Sequence, residues 1–255
     1  NMFKKLLVAA GAASVLVTGQ VAWAQSQPNI LNASYDVARE LFAAINPKFV
    51  DYWKKQGGEE PKIDQSFAGT SRQAQDIIQG KKVDTVTFNQ VTDVDILAKR
   101  GLVNKDWAKA FPNNASPYYS TIAFLVRKGN PKNIKTWDDL VRDDVKLVFP
   151  NPKTSGNARY SYLGAWLYAN EKFKGDEAQT KAFVGKLLHN VESFPTGGRG
   201  ATVAFATNGQ GDALLTFESE VVNIAKSDEF KAGGFEVIVP LSLIHISEPT
   251  RPERI

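Results

Sequence analysis

The sequence predicts an α/β protein of two lobes, each built on a parallel-rich mixed sheet, with a ligand cleft between them. Three observations carry this prediction. Short apolar runs alternate with helical patterns along most of the chain, as in successive βα units. Five strand-to-helix junctions, at Asp36, Thr70, Ser155, Gly198 and Phe217, carry small, hydroxyl or amide-rich turns. A turn-rich stretch at 111–117 (FPNNASP) divides the chain. In open parallel sheets ligands collect beyond the carboxyl ends of the strands, where such junctions lie.

The 255 residues, 43% of them hydrophobic, suffice for one large or two small domains with real cores. Residues 2–24 hold Lys4 and Lys5, an apolar run over 6–17 and a small-x-small ending at Ala22 and Ala24. This is the pattern of a secretory signal peptide cut before Gln25. The run falls short of the ~20 residues that span a membrane. An exported, soluble, periplasmic protein is expected.

Residues 30–35 read as a first strand, and Asp36 opens a helix through Arg39, Leu41, Phe42 and Ile45 that should stop before Pro47. Phe49 and Trp53 mark a second amphipathic piece up to Gly57 and Gly58. A strand at 63–67 leads through Thr70 and Ser71 to a helix at 72–79 with Gly80 as its stop. A strand at 83–88 and a helix at 91–100, closed by Gly101, follow.

After the crossing, a strand is expected at 121–127 and a short helix begins with a capping box at Thr136 and Asp139. The apolar run at 146–149 ends at Pro150 and Pro152. Thr154, Ser155 and Gly156 then precede a helix with Tyr160, Leu163, Leu167 and Tyr168 on one face. Residues 173–190 read as helical, with Phe183, Leu187 and Leu188 buried and His189 at the surface. A strand at 191–194, a glycine-rich turn at 196–200 and a helix at 201–207 come next. A strand at 213–217, a helix at 218–226 and a strand at 235–239, expected to return to the first lobe, complete the pattern.

The first N–H groups of a helix have no partner inside it and sit at the positive end of its dipole, so they bind anions. One capped turn is commonplace. Five in a two-lobed chain point to a single anion held between the lobes by N–H and O–H donors. Arg159 and Arg199 stand beside these turns and bias the local field, with neither expected as a direct ligand.

Enzyme signatures are poor. No GxxxxGK[ST], GxSxG or HExxH occurs, and with two histidines and no cysteine no zinc site or Ser-His-Asp triad is expected. No metal or other cofactor is called for. The acidic pairs at Asp138–Asp139 and Asp143–Asp144 read as solvated helix ends. A balance of 31 basic and 27 acidic residues argues against a nucleic-acid partner. The single methionine is Met2, so nothing after it carries sulfur. A protein made when sulfur is scarce would show this economy; transcript levels indifferent to sulfur supply would refute that idea.

The motifs SYDVARELF at 34–42, KGNPKNI at 128–134, FPNPKTSGNARY at 149–160, TGGRGAT at 196–202 and TFESEV at 216–221 resemble the periplasmic sulfate/thiosulfate-binding proteins. The resemblance covers about 29–240. It implies a type II periplasmic binding fold that closes over a dehydrated anion and hands it to an ATP-driven (ABC) permease at the inner membrane. Carried over by position, the binding groups fall on the Asp36 N–H, the Thr70 hydroxyl, Ser155, Gly156, Asn157, the Gly198 N–H and Phe217. A monomer is expected.

Two of these positions depart from the sulfate-specific pattern. Thr70 stands in place of serine and keeps the hydroxyl. Phe217 stands in place of tryptophan and loses the indole donor. An apolar ring can face the soft outer sulfur of thiosulfate at little loss. With TFESE, TSGN and NQVTDV at 89–94 also resembling the thiosulfate branch, thiosulfate is expected first and sulfate second. An enzyme acting on a sulfur or phosphorus oxyanion is the alternative. A ligand-sensing domain of a transcription regulator is a third reading.

The expected division is a signal peptide at 1–24, a first lobe at 25–117, a second lobe at 118–240 and a tail at 241–255. That tail, LSLIHISEPTRPERI, departs from the resemblance and reads as non-native. The first lobe is therefore expected to be incomplete, with an apolar face and open strand edges.

Overall fold

The computed structural model describes residues 28–228, 230 and 234–240. The expected leader and tail lie outside these residues. Two sheets organise the chain: a three-stranded sheet in the order β2-β1-β3 and a five-stranded sheet in the order β6-β5-β7-β4-β8.

The first sheet is wholly parallel, with β1 (Asn29–Ser34) between β2 (Lys62–Phe67) and β3 (Thr85–Thr87). Asp36–Ala38 forms a 3-10 turn, and α1 (Arg39–Lys55) follows without a break through Pro47. The expected stop at Pro47 is thus corrected. A proline removes one rung and crowds one carbonyl, and the turns on either side keep the rest of the ladder. Next come α2 (Thr70–Ile78) and α3 (Val91–Lys99). Ala33, Ala74, Ile77 and Leu97 form a small core between sheet and helices. No residue of α1 is buried, and Ile45, Phe49, Tyr52 and Trp53 on it are exposed.

The crossing is a single turn, α4 (Pro112–Ala115), in which Asn113, Asn114 and Ala115 all take positive φ. Beyond it, the Tyr118 hydroxyl bonds that of Tyr35 at the end of β1.

In the second sheet β5 (Leu147–Val148) runs parallel to both β6 (Val191–Ser193) and β7 (Ala213–Phe217), while β4 (Ile122–Arg127) is antiparallel to β7 and to β8 (Phe235–Ile238). The strand expected to return to the first lobe therefore belongs to this second sheet. Its register with β4, Phe124 opposite Ile238, satisfies the edge that β7 leaves open.

A 3-10 turn at Trp137–Val141 begins with the expected capping box, the Asp139 carboxylate accepting the Thr136 N–H at 2.9 Å. Its neighbour Asp138 is bonded to Tyr168 and Lys172. The long helices α5 (Gly156–Lys172) and α6 (Glu177–His189) cover one face of the sheet. The other face packs against α7 (Gly198–Thr202), the π turn Val203–Thr207 that continues it, and α8 (Glu218–Lys226).

The buried stripe of α5 differs from expectation. It consists of Ala158, Ser161, Gly164, Ala165 and Ala169, while Leu163 and Leu167 are exposed. Small residues let the helix backbone lie close to the sheet, and the leucines turn outward. His189 is at the surface and Leu188 is half-buried.

Candidate functional site

The junctions at Asp36 and Thr70 in the first lobe approach those at Ser155 and Gly198 in the second. From the first lobe, Asp36 opens its 3-10 turn and is nine-tenths buried. Its Oδ2 accepts the Arg199 N–H at 3.0 Å and lies 2.2 Å from where a Cβ on Gly197 would stand. Burial pushes the Asp36 carboxyl above the usual aspartate range, against the Arg199 N–H and the charges of Arg199 and Arg39.

Thr70, the first residue of α2, is fully buried. Its Oγ1 stands 2.7 Å from Asp93 Oδ2 and 3.0 Å from Asn89 Oδ1. A hydroxyl has one proton, so Thr70 donates to one of these at a time. Ser71 donates to the same Asp93 oxygen at 3.0 Å.

From the second lobe, Ser155 caps α5, its Oγ accepting the Ala158 N–H at 3.3 Å. That bond leaves the hydroxyl proton free to donate. Gly156 touches the opposite lobe, for a Cβ there would lie 2.1 Å from Asn89 Oδ1 and 2.6 Å from Thr70 Oγ1. Asn157 is buried and its Nδ2 donates to Thr216 Oγ1 at 3.4 Å. A Cβ on Gly198, the first residue of α7, would stand 3.0 Å from that Nδ2 and from Val37 Cγ1. Phe217 caps α8 and packs its ring 6.1 Å from that of Tyr160. All seven residues singled out by sequence are buried; Gly156 approaches Thr70 across the lobes and Gly198 approaches Asn157 within the second, while Asp36 meets Gly197 and Arg199 and Phe217 packs on Tyr160.

Two arginines of the second lobe cross to the first. Arg159 pairs with buried Asp93 at 3.0 Å and donates to Thr92. Arg199 grips Glu40 with two bonds of 2.8 Å and buried Glu220 at 2.9 Å. Burial opposes the Arg199 charge, yet these carboxylates outweigh it and hold the guanidinium firmly protonated. The Arg199 bond keeps Glu40 below the usual glutamate range, whereas burial drives Glu220 above it. Both guanidinium groups are therefore engaged, and the groups facing the cleft are largely neutral N–H and O–H donors.

Sequence reading missed Asn89, Asp93, Glu40 and Glu220. Only the tertiary fold brings them to the junctions; Asp93, Glu40 and Glu220 read locally as ordinary helix surface and Asn89 as an ordinary bend. Among the described residues no cluster of His, Cys, Asp and Glu could hold a metal ion.

A family model described as bacterial extracellular solute-binding protein matches residues 30–250. The chain belongs to that family. This solute-binding protein is 56% identical to the thiosulfate-binding protein of Escherichia coli (strain K12) over 242 residues, which cover 94% of this chain and 70% of the relative. It is 50% identical to the thiosulfate-binding protein of Pseudomonas aeruginosa over 241 residues, with the same shares. The solved structure of the sulfate-binding protein SubI from Mycobacterium tuberculosis H37Rv superposes with a TM-score of 0.75 at 28% identity, covering 84% of this chain and 71% of that one. These relatives support a solute-binding role for an ABC importer and imply a periplasmic protein. Among the described residues no helix is long and apolar enough to cross a membrane.

Proposed function

We propose that this chain captures thiosulfate, and sulfate second, between its lobes and delivers the anion to an ABC permease at the inner membrane for sulfur assimilation, without turning it over. The observation that carries the reading is that buried donors at the junctions of one lobe approach those of the other, Thr70 against Gly156 and Asp36 against Gly197 and Arg199, with Asn157 beside Gly198. Hydrogen bonds to a charged group contribute about 1.5–3 kcal/mol each, so several converging donors replace the water around a dianion without a free cation. Dipoles of α2, α5 and α8 add to the field there. The ring of Phe217 offers no donor and favours a ligand with one soft corner, which puts thiosulfate ahead of sulfate.

Calorimetric titration with thiosulfate, sulfate, molybdate and phosphate tests the reading. Binding of thiosulfate and sulfate, with thiosulfate recovered unchanged, is expected. Silence towards both, or turnover of thiosulfate, would overturn it.

A further inference from the structure

The residue that precedes α7 is Gly197, which takes an extended φ of −154° and gives the helix no side-chain cap. An N-cap residue normally places a side-chain oxygen beside its own Cβ, where it accepts the N–H two or three positions into the helix. Asp36, from the opposite lobe, does this instead. Its Oδ2 accepts the N–H of Arg199, the second residue of α7, at 3.0 Å. The same oxygen lies 2.2 Å from where a Cβ on Gly197 would stand, with Asp36 Cγ at 2.9 Å. A side chain at 197 and the carboxyl of Asp36 therefore compete for one space.

The neighbours of Asp36 bind the same two segments together. Tyr35, Val37 and Ala38 are buried in one core cluster with Phe124, Phe149 and Phe217 of the second lobe. Val37 Cγ1 lies 3.0 Å from where a Cβ on Gly198 would stand. The Arg199 guanidinium holds Glu40 by two bonds of 2.8 Å, so the stretch 36–40 is gripped by both the main chain and the side chain of one residue. The cap engages the N–H of Arg199 and not that of Gly198, which the reading above assigns to the anion.

We propose, resting on that reading, that the Asp36 carboxyl is the N-cap of α7 supplied from across the cleft, a positioning residue that ties anion affinity to lobe closure. It sets the start of α7, and with it the Gly198 N–H, against the first lobe. The main chain and the side chain of Asp36 then have separate tasks, one on the anion and one on the helix. Because the side chain acts through α7, it strengthens thiosulfate and sulfate to the same degree.

The test compares wild type, Asp36→Ala, Gly197→Ser and the double variant, each melted and titrated with thiosulfate and with sulfate. Asp36→Ala loses one hydrogen bond between the lobes and is expected to weaken both anions about tenfold, with their ratio kept within about twofold. Loss of the cap should also lower its melting temperature by about 2–4 °C. Gly197→Ser alone drives its side chain into Asp36 and should weaken both anions at least as much. In the double variant the serine has room and caps α7 from its own lobe. Its melting temperature is expected to return to within about 1 °C of wild type while both affinities stay reduced. Wild-type affinities in Asp36→Ala, a loss confined to one anion, or affinity restored in the double variant would overturn the proposal. Wild-type protein silent towards both anions would overturn the functional reading itself; the melts still judge the cap, which fails if Asp36→Ala melts as wild type does.

Discussion

Replacing Gly156 by alanine tests the closed cleft directly. No positive φ constrains Gly156, so alanine suits its backbone, and at the start of a helix it is the better residue by up to about 1 kcal/mol. The obstacle is the opposite lobe. The new methyl would lie 2.1 Å from Asn89 Oδ1, 2.6 Å from Thr70 Oγ1 and 2.9 Å from Gln90 Cβ, all closer than real Cβ contacts. To relieve this the Asn89 and Thr70 side chains must swing away, which withdraws the Thr70 hydroxyl, or the lobes must separate by roughly an ångström, enough to break a hydrogen bond. The bond from the Arg72 N–H to the Thr154 carbonyl, 3.2 Å, and the ion pair of Arg159 with Asp93, 3.0 Å, cross the same gap. If the anion loses two first-lobe donors at about 1.5–3 kcal/mol each, affinity falls by at least about a hundredfold. Titration calorimetry with thiosulfate reads the loss, and a thermal melt within a few degrees of wild type shows the second lobe intact. Affinity within threefold of wild type would refute the reasoning.

Three further outcomes are expected. Arg127 donates to the carbonyls of Phe205, Gln210 and Gly211 and lies 3.8 Å over the Phe205 ring, so Arg127→Met should cost about 2–4 kcal/mol in denaturant unfolding; a loss under about 0.5 kcal/mol would contradict this. Glu220 is fully buried between Arg199 and Thr202, and Glu220→Ala, which leaves Arg199 without its buried partner, should destabilise by about 3–5 kcal/mol, against a measured melt that an unimportant pair would leave unmoved. Asp36 has a folded pKa raised above its unfolded value, so its contribution is fully present below the ordinary aspartate range and is lost as pH rises through the raised value. Asn at this position removes that dependence, and stability of Asp36→Asn relative to wild type should grow with pH over that window; a difference that stays flat with pH would contradict it.

The junctions were legible in the sequence because their signals are local. Ser155 caps α5, Asp139 closes a capping box, and Gly80 and Gly101 take positive φ where helices stop. Each can be read within a few residues. What remained hidden depends on distant partners. β8 joins β4 through backbone bonds that no side-chain pattern announces. The face of α5 was misjudged because Leu163 and Leu167 look like core, while the close approach of helix to sheet selects Gly164, Ala165 and Ala169. Pro47 suggested a break that the length of α1 absorbs. At the candidate site, the seven residues are nominated by turns and resemblance, but the clasp of Arg159 on Asp93 and of Arg199 on Glu40 required the two lobes to be brought together.

The central claim is that one sulfur oxyanion lies where these junctions meet, and its own sulfur atoms offer the direct measurement. The chain has no cysteine, and its one methionine is Met2, so a crystal of the thiosulfate complex examined by anomalous sulfur scattering carries almost no signal from the protein itself. Two adjacent peaks between the lobes are predicted, the inner one within reach of the N–H groups of Gly156 and Gly198 and the outer one against Phe217. Peaks elsewhere, or none with thiosulfate in excess, would contradict the account.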